Sequence, residues 1–217
     1  VAALLGALNE VPVTPGSAVL VPAGVPHAIG EGVLLVELQE PTDFSVLLEW
    51  EGFAVDGAVA GHLGLGFDLA LECVDRSGWG RERLAELHGR RAADPAGRPG
   101  VEPLLPEAAD PFFRAERIRP RSPATLEPSF SVLVVLDGSG RLDTAAGGRL
   151  DLARGDTVLV PFAAGPGLVS GAVHAIRCLP PLPGQAAGQG APARTEGAAP
   201  HGRGGGAAPP GPDGGAG

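Results

Sequence analysis

Gly16, Pro22, Gly24 and His27 stand at fixed intervals in Gly16-Ser-Ala-Val-Leu-Val-Pro22-Ala-Gly24-Val-Pro-His27. A glycine turn feeds a short apolar run, Val19-Leu20-Val21, predicted as a strand, and Pro22 and Gly24 then bend the chain so that an imidazole is offered beyond the bend. A neutral imidazole in that position suits a divalent metal. The second chemical group is ten residues on. Val33 to Gln39 reads as a strand, and period 2 places Val33, Leu35, Glu37 and Gln39 on one face. A carboxylate and an amide are costly to bury without partners. Either this face lines a polar pocket, or Glu37 and Gln39 face solvent with Leu34, Val36 and Leu38 inward.

The spacing G-x5-P-x-G-x2-H is that of the second signature motif of the cupin superfamily. The run Pro26-His27-Ala28-Ile29-Gly30, followed by the glutamate-bearing segment and the turn Glu40-Pro41-Thr42-Asp43-Phe44, resembles type I mannose-6-phosphate isomerase. The resemblance is close over 12–50 and looser over 112–181. It implies a mainly β fold of cupin-type antiparallel barrel halves with a short helical insert, and one Zn2+ ion with His27 as a metal ligand. It also implies a sugar-phosphate substrate, aldose–ketose isomerisation of mannose 6-phosphate and fructose 6-phosphate, and Glu37 as the catalytic carboxylate beside the sugar, with Asp43 a weaker candidate. That chemistry needs a base to move a proton between C1 and C2, and an electrophile, zinc, for the developing oxyanion. The rival reading is a non-catalytic sugar-phosphate-binding or regulatory cupin that has lost its metal site.

Two departures from the family pattern stand out. Where many members place an arginine after the glutamate, this chain has Leu47, with Arg76, Arg81 and Arg83 the nearest arginines in sequence. No H-x-H or H-x-D-E arrangement precedes His27, and His62, His88, His174 and His201 lack ligand spacing. Catalytic zinc takes about three protein ligands plus an open position. The remaining ligands are therefore expected upstream of the chain, and the chain by itself is expected to show negligible isomerase activity.

Positioning such groups requires a scaffold, and an internal repeat suggests it. Gly155-Asp-Thr-Val-Leu-Val-Pro161 repeats Gly16-Ser-Ala-Val-Leu-Val-Pro22. In the second copy the position of His27 is held by Pro166, which cannot ligate. Phe130 to Leu136 reads as a strand, Asp137 to Gly140 as a hairpin turn, and Gly147-Gly148 as another turn. His174 reads as a strand residue. Residues 67–74 and 81–87 carry helical patterns, with Gly89 as a stop. The expected organisation is 1–88, part of the catalytic barrel plus the helical segment; 89–111, an exposed linker; 112–182, a metal-free cupin-like β domain; and 183–217, a disordered tail rich in Gly, Ala and Pro. Arg114, Arg117, Arg119 and Arg121 form a basic run, read as a solvated strand edge rather than a phosphate site.

The 217 residues carry a net charge of −9, with sixteen cationic side chains that are all arginine. That balance argues against a nucleic-acid partner. No apolar run is long enough for a transmembrane helix, so no membrane partner is expected. Cys73 and Cys178 form no disulfide framework, and a cytoplasmic location is expected.

Overall fold

Strand formation concentrates in the C-terminal half of the computed structural model, which describes residues 2–40, 44–88 and 97–184. Seven strands form one antiparallel sheet: β1 (Val101–Pro103), β2 (Arg114–Ile118), β3 (Ala124–Leu126), β4 (Ser131–Thr144), β5 (Gly148–Ala153), β6 (Thr157–Val160) and β7 (Gly167–Leu179). The long strands β4 and β7 pair with each other along most of their lengths. Each changes its other neighbour halfway. β4 pairs with β6 through 131–134 and with β5 through 139–144, while β7 pairs with β3 through 167–169 and with β2 through 175–179. Leu133, Val135, Ile118 and Ala175 from one half of the sheet join Leu126, Leu142, Leu152 and Val169 from the other in a single buried cluster. The sheet therefore folds over on itself into a double-sheet antiparallel roll. The expected mainly β, antiparallel fold with a few short helices is what forms.

The change of neighbour on β4 explains a correction. Asp137 to Gly140 does not turn. The strand runs through it with an irregularity between Val135 and Asp137, and Asp137 pairs with His174. Here the glycines serve close approach of strands: side chains at 138 and 140 would run into the carbonyls of Ala172 and Ser170. The extra residue bends the strand and hands it from β6 to β5. The hairpin falls instead at 145–147, beside the expected Gly147-Gly148 turn.

A second correction concerns the expected linker. Within it, Val101–Pro103 pairs with β2, and Val101, Leu104 and Ala109 are buried. Residues 89–96, including Gly89, lie outside the described residues, as do residues 185–217 of the expected tail.

The N-terminal half departs further. Four short helices form, α1 (Ala2–Ala7), α2 (Gly57–Ala60), α3 (Phe67–Ala70) and α4 (Arg81–Leu87), and a 3-10 turn, Leu71–Cys73, continues α3. The helical insert expected over 67–87 is thus present. Among the described residues between α1 and α2 no strand forms. Val19–Val21 and Val33–Gln39 have strand-like composition, but a strand exists only against a partner backbone. Leu20, for example, donates its N–H at 2.9 Å to the carbonyl of Leu87, at the end of α4, rather than to a ladder. The repeat nonetheless survives in its turns. Gly16 and Gly155 have φ of 92° and 94°, a left-handed conformation that favours glycine. Only the second copy goes on into a strand, β6.

Candidate functional site

His27 follows a turn closed by the Val25 N–H donating to the Pro22 carbonyl at 3.2 Å. The side chain is exposed, and its Nδ1 lies 3.0 Å from the Val25 carbonyl. A carbonyl can only accept, so Nδ1 is the donor, and in the neutral imidazole Nε2 keeps its lone pair. Metal-binding histidines are commonly oriented in this way, by a hydrogen bond from the other ring nitrogen.

Glu37 and Gln39 are both exposed, whereas Val36 and Leu38 are half-buried and Leu38 packs against the cluster of Leu104, Ala115 and Ile176. Of the two faces weighed for this segment, the structure turns Val36 and Leu38 inward. Leu34, expected on the same side, is 99% exposed. Asp43 lies outside the described residues.

No group of three His, Cys, Asp or Glu side chains converges on a metal position among the described residues. The described residues thus offer zinc one oriented donor, His27, rather than a ligand set. Of the other described histidines, His88 caps the C-terminus of α4, its backbone N–H donating to the Ala85 carbonyl. The His62 ring accepts from the Gly66 N–H at 3.1 Å and meets Phe67 edge-on, and His174 lies in β7.

Leu47 donates its N–H to the Gly61 carbonyl at 2.9 Å. Two of the three arginines nearest to it in sequence, Arg76 and Arg83, are engaged elsewhere. Arg76 donates to the Leu71 carbonyl at 3.2 Å. Arg83 pairs with Asp75 at 3.2 Å and stacks over Trp79. Asp75 is held at about pH 2, chiefly by the Ser77 hydroxyl and N–H, with Trp79 and Arg83 adding to the effect. These groups brace the approach to α4.

Two cavities involve the β half. One, of about 310 Å³, is walled by Leu142, Leu150, Leu159, Val160, Pro161 and Ala164, with Thr144 as its polar side chain. The other, of about 150 Å³, is polar: Thr14, Pro15, Gly16 and Ser17 meet Arg117 and Arg119 across it.

A charged network hidden from sequence reasoning lies on the inner side of the sheet. Arg177 on β7 stands directly opposite Glu116 on β2, and both side chains are more than nine-tenths buried. Glu116 receives Arg177 at 3.4 Å and Arg98 at 2.6 Å. Arg177 also donates to the Ser131 hydroxyl at 3.1 Å and to the Glu127 carbonyl at 2.7 Å. Burial lowers the Arg177 pKa, while Glu116 opposes the shift. The network ties β7 to β2 through Glu116 and to β4 through Ser131. The missed signal was alternation. In Ala175-Ile-Arg-Cys-Leu179 a charge sits between two apolar residues on the same face, Ala175 and Leu179.

Both cysteines are free. Cys73 is exposed, whereas burial raises the Cys178 thiol pKa. No helix among the described residues is long and apolar enough to cross a membrane.

No protein-family model matches the chain, and no curated protein matches it by sequence. Solved structures similar to it include the mannose 6-phosphate isomerase from Bacillus subtilis, at 17% identity and a TM-score of 0.38 over 52% of this chain. The match spans 34% of that enzyme's chain, so this chain corresponds to about a third of its length. A cupin-like protein from Thermotoga maritima matches at 18% identity and a TM-score of 0.33, over 43% of this chain and 80% of that one. An RmlC-like cupin protein from Desulfovibrio desulfuricans matches at 16% identity and a TM-score of 0.31, over 38% and 82% respectively.

Proposed function

We propose that this chain is part of a zinc-dependent aldose–ketose isomerase that interconverts mannose 6-phosphate and fructose 6-phosphate, with His27 as one zinc ligand. The observation that carries the reading is the state of His27. It closes a motif matched at every fixed position, its side chain is exposed, and its Nδ1 donates to the Val25 carbonyl, which in the neutral imidazole leaves Nε2 as the metal donor. Zinc, when bound, supplies Lewis-acid stabilisation of the oxyanion that develops as the proton moves between C1 and C2. Glu37, exposed ten residues on, is the carboxylate assigned to acid–base work or to orienting the sugar hydroxyls. The other zinc ligands are assigned to polypeptide outside the described residues. Two free cysteines fit a reducing, cytoplasmic setting.

Leu47, where the family places an arginine, favours a second reading: a sugar-phosphate-binding cupin without catalysis. Zinc content and a coupled assay of mannose 6-phosphate conversion, both on the protein that carries this chain, decide between them. Near-stoichiometric zinc with turnover supports the isomerase. Zinc-free protein without turnover, even after zinc is supplied, supports the binder.

A further inference from the structure

The structure points to an oxyanion site, and we propose that the cavity between the Thr14–Ser17 turn and Arg117 and Arg119 binds a phosphate group. The cavity is about 150 Å³ and polar on both walls. One wall carries the Thr14 and Ser17 hydroxyls, 3.4 Å apart, in a turn held by the Ser17 N–H donating to the Thr14 carbonyl at 2.9 Å. The other carries two guanidinium groups from the end of β2 and the residue just beyond it.

Arg117 is fixed. Its residue is 7% exposed, Nη1 donates to Glu102 at 2.9 Å, Nη2 donates to the Gly16 carbonyl at 2.6 Å, and the buried Nε has no hydrogen-bond partner. Arg119 is the adaptable member. It is exposed, and no carboxylate pairs with it among the described residues; its Nη2 lies 3.3 Å from the His174 Nδ1. Since Arg can only donate, that contact makes Nδ1 an acceptor and keeps the imidazole neutral. Burial first, then Arg119 and Arg117, lower the His174 pKa, as an excess of local positive charge requires. The chain as a whole is at −9, so a general attraction for anions is absent and binding must come from these groups. Guanidinium and hydroxyl donors around a small cavity suit the tetrahedral oxygens of phosphate, with Arg gripping in bidentate fashion.

The phosphate can be free or carried by a sugar, and the chemistry recognised is the same. The inference does not depend on the isomerase reading, because its readout is binding without zinc. Titration calorimetry of the purified 217-residue chain with inorganic phosphate, mannose 6-phosphate and mannose tests it. Saturable binding of both phosphates at low salt is expected, with mannose silent. Equal affinity for the two marks a free-anion site, and tighter binding of the sugar phosphate marks a site that also touches the sugar. Arg119→Gln should weaken both at least tenfold with the melting temperature unchanged, and Thr14→Ala should weaken them less. Absence of saturable binding by wild type, or undiminished binding by Arg119→Gln, would overturn the proposal.

Discussion

The Arg117 guanidinium donates to the Gly16 carbonyl at 2.6 Å across 101 residues of sequence, tying the first turn of the His27 motif to a strand of the β roll. The same side chain pairs with Glu102 on β1. Hydrogen bonds to a charged group contribute about 1.5–3 kcal/mol each when a partner is lost from a buried site. Arg117→Ala should therefore lower stability by roughly that amount. It should also raise amide exchange at 16–20, the segment it anchors, beyond any increase in β4. Equal exchange throughout would show that the contact does not hold the motif turn.

The buried network gives a sharper stability test. Glu116→Ala leaves Arg177 and Arg98 without their shared carboxylate, and removing one partner of a buried pair costs about 3–5 kcal/mol. Denaturant unfolding should show a loss of that size. The double variant Glu116→Leu with Arg177→Met should recover much of it, since paired charges replaced together by apolar groups are often near neutral. A single variant within about 0.5 kcal/mol of wild type, the ordinary range for surface positions, would contradict the account.

His174 makes stability depend on pH in a defined direction. Its pKa is lowered from the usual 6.5 by burial and by Arg119 and Arg117, with Asp137 opposing. Between the folded pKa and 6.5 the unfolded chain binds more protons, so stability rises with pH there. The contribution is complete above about 6.5 and is lost as pH falls through the folded value. Melting temperatures from pH 5 to 7.5 should climb in wild type and flatten in His174→Asn. Asp75, at about 2, titrates outside this window. A His174→Asn slope as steep as wild type would exclude this histidine as the source.

Much of the β roll was legible in sequence because its signals are local. The Gly155–Pro161 repeat, the apolar run from Phe130 and the Gly147-Gly148 turn all mark real elements, and helix formers at 81–87 mark α4. What failed depends on partners. Val19–Val21 and Val33–Gln39 have strand composition but no strand beside them among the described residues. Residues 137–140 carry turn composition, yet β7 pairs straight across them. The basic run looked solvated because charge usually is. Instead Arg117 and Glu116 are buried on opposite faces of β2, each matched by a partner distant in sequence. For the proposed site, the motif spacing singled out His27, and the structure adds the hydrogen bond of its Nδ1 to the Val25 carbonyl. The cavity at Arg117 and Arg119 was invisible, since its walls come from segments about a hundred residues apart.

The central claim, that His27 is a zinc ligand of an isomerase, is tested most directly by His27→Ala in the protein that carries this chain, with zinc content and mannose 6-phosphate turnover measured on the same sample. The side chain is exposed and contributes little to packing, so the melting temperature of the metal-free protein should be unchanged. Removing one of about three ligands takes away much of the metal's binding energy. Wild type should hold near-stoichiometric zinc and convert the sugar phosphate, and the variant should lose both. A variant that keeps its zinc and its turnover would contradict the assignment.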